Sequence, residues 1–256
     1  MNKTYENSFS ENKPNLLLSG KLFWVTLFAV AMGMLESSVV IYLRELYYPA
    51  GFQFPLHATS YTVAITELFR ELATLIMLLG IGMLAGKSRH ERFAWFIYSF
   101  AIWDIFYYVF LYLIISWPVG FGDWDVLFLL PMMWVGPVWA PVILSLLMIL
   151  LALFILHFSN HKNDVSLRLT EWALIITGAI IVILAFCKDF YLHMTTHFPT
   201  IPGDQLFFSK RTFEFAAQYI PSNFDVLLFL FGCVVICSGM GLYVIRNRKY
   251  KDEFKT

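Results

Sequence analysis

Five ionisable side chains stand inside otherwise apolar sequence: Glu36, Glu67, Arg70, Glu71 and Asp104. At the centre of a membrane helix each such group costs about 2.5 to 3.5 kcal/mol, so it persists where it pairs, hydrates, neutralises or serves a solute. Glu67, Arg70 and Glu71 are spaced i, i+3 and i+4, which puts them on one face of a helix. Tyr107 and Tyr108 follow Asp104 at the same spacing, and Tyr108 joins the candidate site with the five charges. Four carboxylates against Arg70 leave a formal surplus of three negative charges, and adding Arg44 still leaves two. A surplus of that kind is balanced by protons, by water or by a bound cation. The chemistry this set suits is therefore proton or cation loading, or recognition of a small charged solute. The structural alternative is an Arg70 clamped by Glu67, Glu71 and Asp104 that merely holds helices together. It accounts for Arg70 and leaves Glu36 and the surplus charge without a role.

The elements that position these residues follow from composition. The chain is 59% hydrophobic and 14% charged, with a mean hydropathy of +0.67, whereas soluble domains are about a quarter charged. Lys plus Arg equals Asp plus Glu at 18 each, so no basic field points to nucleic acid. A helix crosses the hydrocarbon layer in about 20 residues. Six apolar runs are long enough: Leu22–Leu43, Tyr61–Leu84, Phe93–Trp117, Val126–Phe158, Leu169–Cys187 and Asp225–Ile245. The first is too long for a cleaved signal, lacks a cleavage site and is followed by further spans. The expected fold is all-α: a bundle of six transmembrane helices forming one domain over 21–247. It is flanked by a disordered tail at 1–20 and a basic tail at 248–256.

The fourth run has 33 residues and contains Pro131, Pro137 and Pro141. As one helix it would reach about 50 Å. Proline removes a backbone donor, and broken backbone at membrane depth survives only where protein or a watered cavity satisfies it. Trp124–Pro141 is thus read as re-entrant on the outer half of the span, the alternative being a long proline-kinked helix. The connection 188–224 reads as a long extracytoplasmic loop. Ser209 could cap an interfacial helix there, carrying Phe213, Phe215, Ala216, Tyr219 and Ile220 and ending at Pro221. Thirteen Lys and Arg fall in the tails and the second and fourth connections, against four in the other three. The positive-inside rule then places both termini in the cytoplasm of a plasma or inner membrane. Counted at 1.5 Å per residue from the span ends, the five buried charges form one layer about 9 to 17 Å below the outer surface.

Weaker signals surround this layer. His193 and His197 stand at i, i+4, a spacing that suits two metal-bound imidazoles on one helix face. Asp104 with that pair loosely resembles the zinc hydrolases of the ceramidase type, which combine histidines and an aspartate in a helical bundle. The resemblance covers those three residues alone, and the order and span count differ; it implies an intramembrane, metal-dependent hydrolase or transferase acting on a lipid-type substrate. No Walker loop, common hydrolase motif or deep haem-ligating histidine pair occurs in the sequence. The default reading carries no cofactor, with a divalent metal as the alternative. Small-residue stripes, Gly82 with Gly86 and Cys233, Cys237 with Gly241, suggest faces for close helix packing, for a second copy or for a membrane partner. Trp95, Trp117, Trp124, Tyr47, Tyr48, Phe52 and Phe54 read as an interfacial aromatic belt. Taken together, the sequence predicts a lipid-embedded protein binding or transporting a proton, a cation or a small charged solute. The enzyme and a structural subunit of a membrane complex are the alternatives.

Overall fold

The computed structural model describes residues 13–49, 51–57, 60–161, 166–197 and 210–253. Six helices are long and apolar enough to cross a membrane, so the chain is a polytopic integral membrane protein. In chain order the long helices are α1 Lys13–Tyr47, α2 Tyr61–Ala85, α3 Arg89–Ile115, α4 Trp139–His161, α5 Leu169–His197 and α7 Val226–Glu253. A short helix, α6 Lys210–Ala216, precedes the last, and a hairpin, β1 Trp124–Phe128 with β2 Trp134–Pro137, separates α3 from α4.

Local chemistry sets several boundaries. The Ser60 hydroxyl accepts the Val63 N–H and opens α2, and Gly86 closes it. Ser88 accepts the Glu91 N–H at 3.2 Å, while the Glu91 carboxylate accepts the Lys87 N–H at 2.9 Å, a reciprocal cap that fixes the start of α3. The helices run beyond the apolar stretches: α1 begins at Lys13, inside the region expected to be a disordered tail, and α7 continues to Glu253 through the basic tail. Residues 1–12 and 254–256, and Ser209 as a cap, lie outside the described residues.

The fourth run is part hairpin and part helix. β1 and β2 pair antiparallel, Trp124 opposite Pro137 and Val126 opposite Val135, with an irregularity between Val126 and Phe128. The three prolines sit where a missing donor is tolerated: Pro131 in the connection, Pro137 at the end of β2 and Pro141 in the first turn of α4. The ladder satisfies much of the backbone, which is how non-helical chain is accommodated among the helices. Phe128 reaches a buried cluster with Ala29, Met32, Leu78 and Trp103 from α1, α2 and α3, so the hairpin tip is inserted between helices.

The rest of the core lies where α5 crosses α7 and where α3 packs between α1, α2 and α4. A Cβ on Gly178 would lie 2.8 Å from the Gly232 carbonyl oxygen and one on Gly232 3.0 Å from that of Gly178, a backbone approach that only glycine permits. Gly82 and Gly86 serve a contact of the same kind within the chain. Added Cβ atoms there would meet Arg92 backbone at 2.7 and 2.3 Å, so this stripe faces α3 and leaves no open face for a partner. Cys233 is buried, Cys237 is exposed and Gly241 has open space around its Cα. Trp95 is not an interfacial residue: only 1% of it is exposed, within the main core.

Candidate functional site

At the end of the bundle that carries the hairpin lies a cavity of about 920 Å³. Its walls come from the last turns of α1, the first three turns of α2, the hairpin, the end of α5 and α6. Behind it lies a smaller cavity of about 50 Å³, bounded by Glu36, Thr74, Trp103, Asp104 and Tyr108. The two share Val40, Arg70, Glu71, Tyr107 and Val126 as a common wall. Each of the six candidate residues lines one or both: Glu67 the large cavity, Glu36, Asp104 and Tyr108 the small one, and Arg70 and Glu71 both.

The charges separate into three groups. Arg70 donates from Nε and Nη2 to Glu67 Oε2 at 3.0 and 2.7 Å, and from Nη1 to Glu36. The other Glu36 oxygen accepts the Thr74 hydroxyl at 3.3 Å. Two helices are thus braced by one guanidinium between two carboxylates. A second group is Arg44 with Asp125, 3.3 Å apart and both buried. The Asp125 carboxylate also accepts the Tyr107 hydroxyl at 3.3 Å. The Arg44 guanidinium lies 3.7 Å from the Trp117 ring centroid and 4.4 Å from that of Phe52, so these two rings flank a cation.

The third group is the surplus. Glu71 accepts the Leu129 N–H of the hairpin at 2.9 Å, and Asp104 accepts the Ser145 hydroxyl at 2.8 Å. Both partners are neutral donors, and neither carboxylate forms an ion pair among the described residues. With Asp125 counted, five carboxylates face two guanidiniums, a formal surplus of three. It falls on Glu71, on Asp104 and on the Glu36–Arg70–Glu67 brace. The small cavity is also lined by Trp103 and by Tyr108, whose hydroxyl lies beside the Asp125 carboxylate.

Several of these participants were weakly marked in the sequence. Asp125 was visible as an acid in the proline-broken stretch, and Arg44 as a cation near the outer end of its span, but nothing indicated that they meet. Thr74 and Ser145 gave no signal, since hydroxyls are common in apolar helices. Trp117 and Phe52 read as belt residues. The His193 ring is stacked 5.1 Å from Phe215 and set edge-on 5.3 Å from Tyr219, and the side chain of His197 lies outside those described. No set of three His, Cys, Asp or Glu is grouped as a metal site among the described residues.

The α6 segment is held over the cavity by its own contacts. Phe213 meets Tyr61 of α2, ring centroids 5.6 Å apart. Asp189 accepts the Tyr219 hydroxyl at 2.6 Å and the Ser222 N–H at 2.9 Å. Burial and this carboxylate hold the Tyr219 phenol well above its ordinary range. Comparison of the chain with family models, curated proteins and solved structures finds no match. Function is therefore read from the geometry of the site.

Proposed function

We propose that the protein binds a small charged solute, with a preference for cations, in the hairpin-end cavity and moves it, or a proton or cation coupled to it, across the bilayer. In this reading the hairpin end is extracytoplasmic and both termini face the cytoplasm of a plasma or inner membrane, as the distribution of Lys and Arg favours. The observation that carries it is Glu71, which lines both cavities and whose one hydrogen-bond partner among the described residues is a backbone N–H. Discontinuous backbone beside a polar site is also where transporters bind their solutes, and the hairpin supplies that discontinuity. The Glu36–Arg70–Glu67 brace supports the site by fixing α1 against α2, while the carboxylates outside it face the cavities.

Proteoliposomes holding a pH dye test this directly. An inward gradient of tetramethylammonium or sodium ions is expected to change the internal pH, and Glu71→Gln is expected to abolish the response. Traces identical to those of protein-free vesicles would overturn transport.

A further inference from the structure

We infer that the large cavity takes an amphiphilic cation: a compact positive head seated at Glu71 and an apolar body lying along the hairpin connection and α5. The inference rests on the cation-binding reading above and names the class of solute.

Size comes first. A cavity of about 920 Å³ is at the upper end of the range of about 300 to 1,000 Å³ that holds organic ligands, and a proton or a bare inorganic ion leaves it unfilled. Its lining is also divided. Glu67, Arg70 and Glu71 line it from α2, and Arg44 pairs with Asp125 in the same lining. An apolar wall, which begins beside Glu71 where the Leu129 N–H meets its carboxylate, is built from Leu129, Leu130, Met132 and Met133 of the hairpin connection and Phe190 and Met194 of α5. An apolar wall of that extent gains nothing from a small hydrated ion and favours a hydrocarbon or aromatic body. Three methionines on it can adjust to different shapes.

The sign of the head follows from which charges are already matched. Arg44 is matched by Asp125. Arg70 is shared between two carboxylates, so that group is one negative charge in excess. Glu71 adds another, with one oxygen on the Leu129 N–H and the other not hydrogen-bonded among the described residues. Arg44 keeps one buried donor, Nη1, without a hydrogen-bond partner among the described residues, yet its charge is already matched by Asp125, so an anionic head would meet no unmatched positive charge among these residues. A quaternary or primary ammonium would meet Glu71 and Glu67, with Tyr61 and Tyr107 also lining the cavity.

The test uses the full-length protein in lipid nanodiscs and a homologous series of probes: tetramethylammonium, hexyltrimethylammonium and decyltrimethylammonium. Decyl sulfate and decyl maltoside are the anionic and neutral controls, empty discs correct for partitioning, and affinities are taken from thermal stabilisation against free aqueous concentration. Affinity is expected to rise about three- to fourfold per added methylene until the cavity is filled. Glu71→Gln should weaken decyltrimethylammonium on the order of tenfold and leave decyl maltoside unchanged. Met132→Trp, in the apolar part of the lining contributed by the hairpin connection, should cut the chain-length series short. Should tetramethylammonium bind as tightly as the decyl compound, the amphiphile is overturned and the small-cation reading stands. Binding of decyl sulfate in preference to the cations would overturn both, as would no binding by any member.

Discussion

The two ends of the bundle treat buried charge in opposite ways. At the end where α5 begins and α7 closes, Glu171 accepts Arg246 Nε and Nη2, each at 2.8 Å, together with the Arg168 N–H at 2.8 Å. Arg246 Nη2 also donates to the Ser166 carbonyl at 2.7 Å. Lys21 donates to the Ala85 carbonyl at 2.7 Å, and the Glu91 carboxylate takes the Ser159 hydroxyl at 2.7 Å. Charge here ties helix ends and connections together, and the fork of Arg246 on Glu171 is the bidentate geometry that makes such contacts strong. At the hairpin end Glu71 and Asp104 hold only neutral donors among the described residues, and they line the two cavities. Paired charge closes a bundle, and surplus charge with room next to it is where a solute can be bound.

This contrast is broken most severely at Arg246. Arg246→Met leaves Glu171, whose side chain is 3% exposed, buried without its cation, and breaking one side of a buried pair costs about 3 to 5 kcal/mol. The thermal midpoint of the variant in lipid should fall by many degrees, and Glu171→Leu in the same background should recover part of the loss. A midpoint equal to wild type would remove the distinction between the two ends.

Asp104→Asn sharpens it from the other side. Asparagine keeps an acceptor for the Ser145 hydroxyl and takes away a charge that no cation among the described residues pairs with, so stability should change by less than about 1 kcal/mol or increase. Thermal unfolding without added solute measures this, and a loss as large as that at Arg246 would show Asp104 to be a structural charge. Glu71→Gln is expected to behave alike, keeping the Leu129 N–H satisfied while it removes the cation response.

Much of this was legible in the sequence, for reasons that differ by element. The α2 span was expected at Tyr61–Leu84 and is found at Tyr61–Ala85, because a long apolar run between Ser60 and Gly86 admits little else. The grouping of Glu36, Glu67, Arg70, Glu71 and Asp104 around two adjoining cavities was legible as a set of residues because charge in hydrocarbon is expensive, which leaves few reasons for its presence. The hairpin was not legible as a hairpin. Trp124–Pro137 is apolar on nearly every position, so no period distinguishes strand from helix, and the prolines report only that the helix is interrupted. Spacing divides the two carboxylates of α2 but not those of the other helices. Glu67 stands three residues before Arg70, within reach on the helix surface, whereas Glu71 is its immediate neighbour and is directed elsewhere, where the hairpin brings it the Leu129 N–H. Trp95 read as interfacial because it lies near the start of its run, whereas α3 packs that segment against other helices on several sides.

The smallest effect belongs to an exposed ion pair at the start of α7. Lys188, in the last third of α5, pairs with Asp225, which immediately precedes α7; the lysine side chain is 51% exposed, and exposed pairs contribute little because water and salt screen them. Lys188 foremost, and then the Leu228 N–H, hold the Asp225 carboxyl below its usual range. A carboxyl lowered in the folded state lends stability above the ordinary carboxylate range and loses it as pH falls through its own lower value. In Lys188→Met the Asp225 titration followed by NMR should move up toward the ordinary value. It should stop short of that value, since the Leu228 N–H still caps the helix at 3.0 Å. The thermal midpoint at neutral pH should not shift measurably. A large loss there would mean that this end of the bundle, like the other, depends on paired charge, and the contrast would then rest on Glu71 and Asp104 alone.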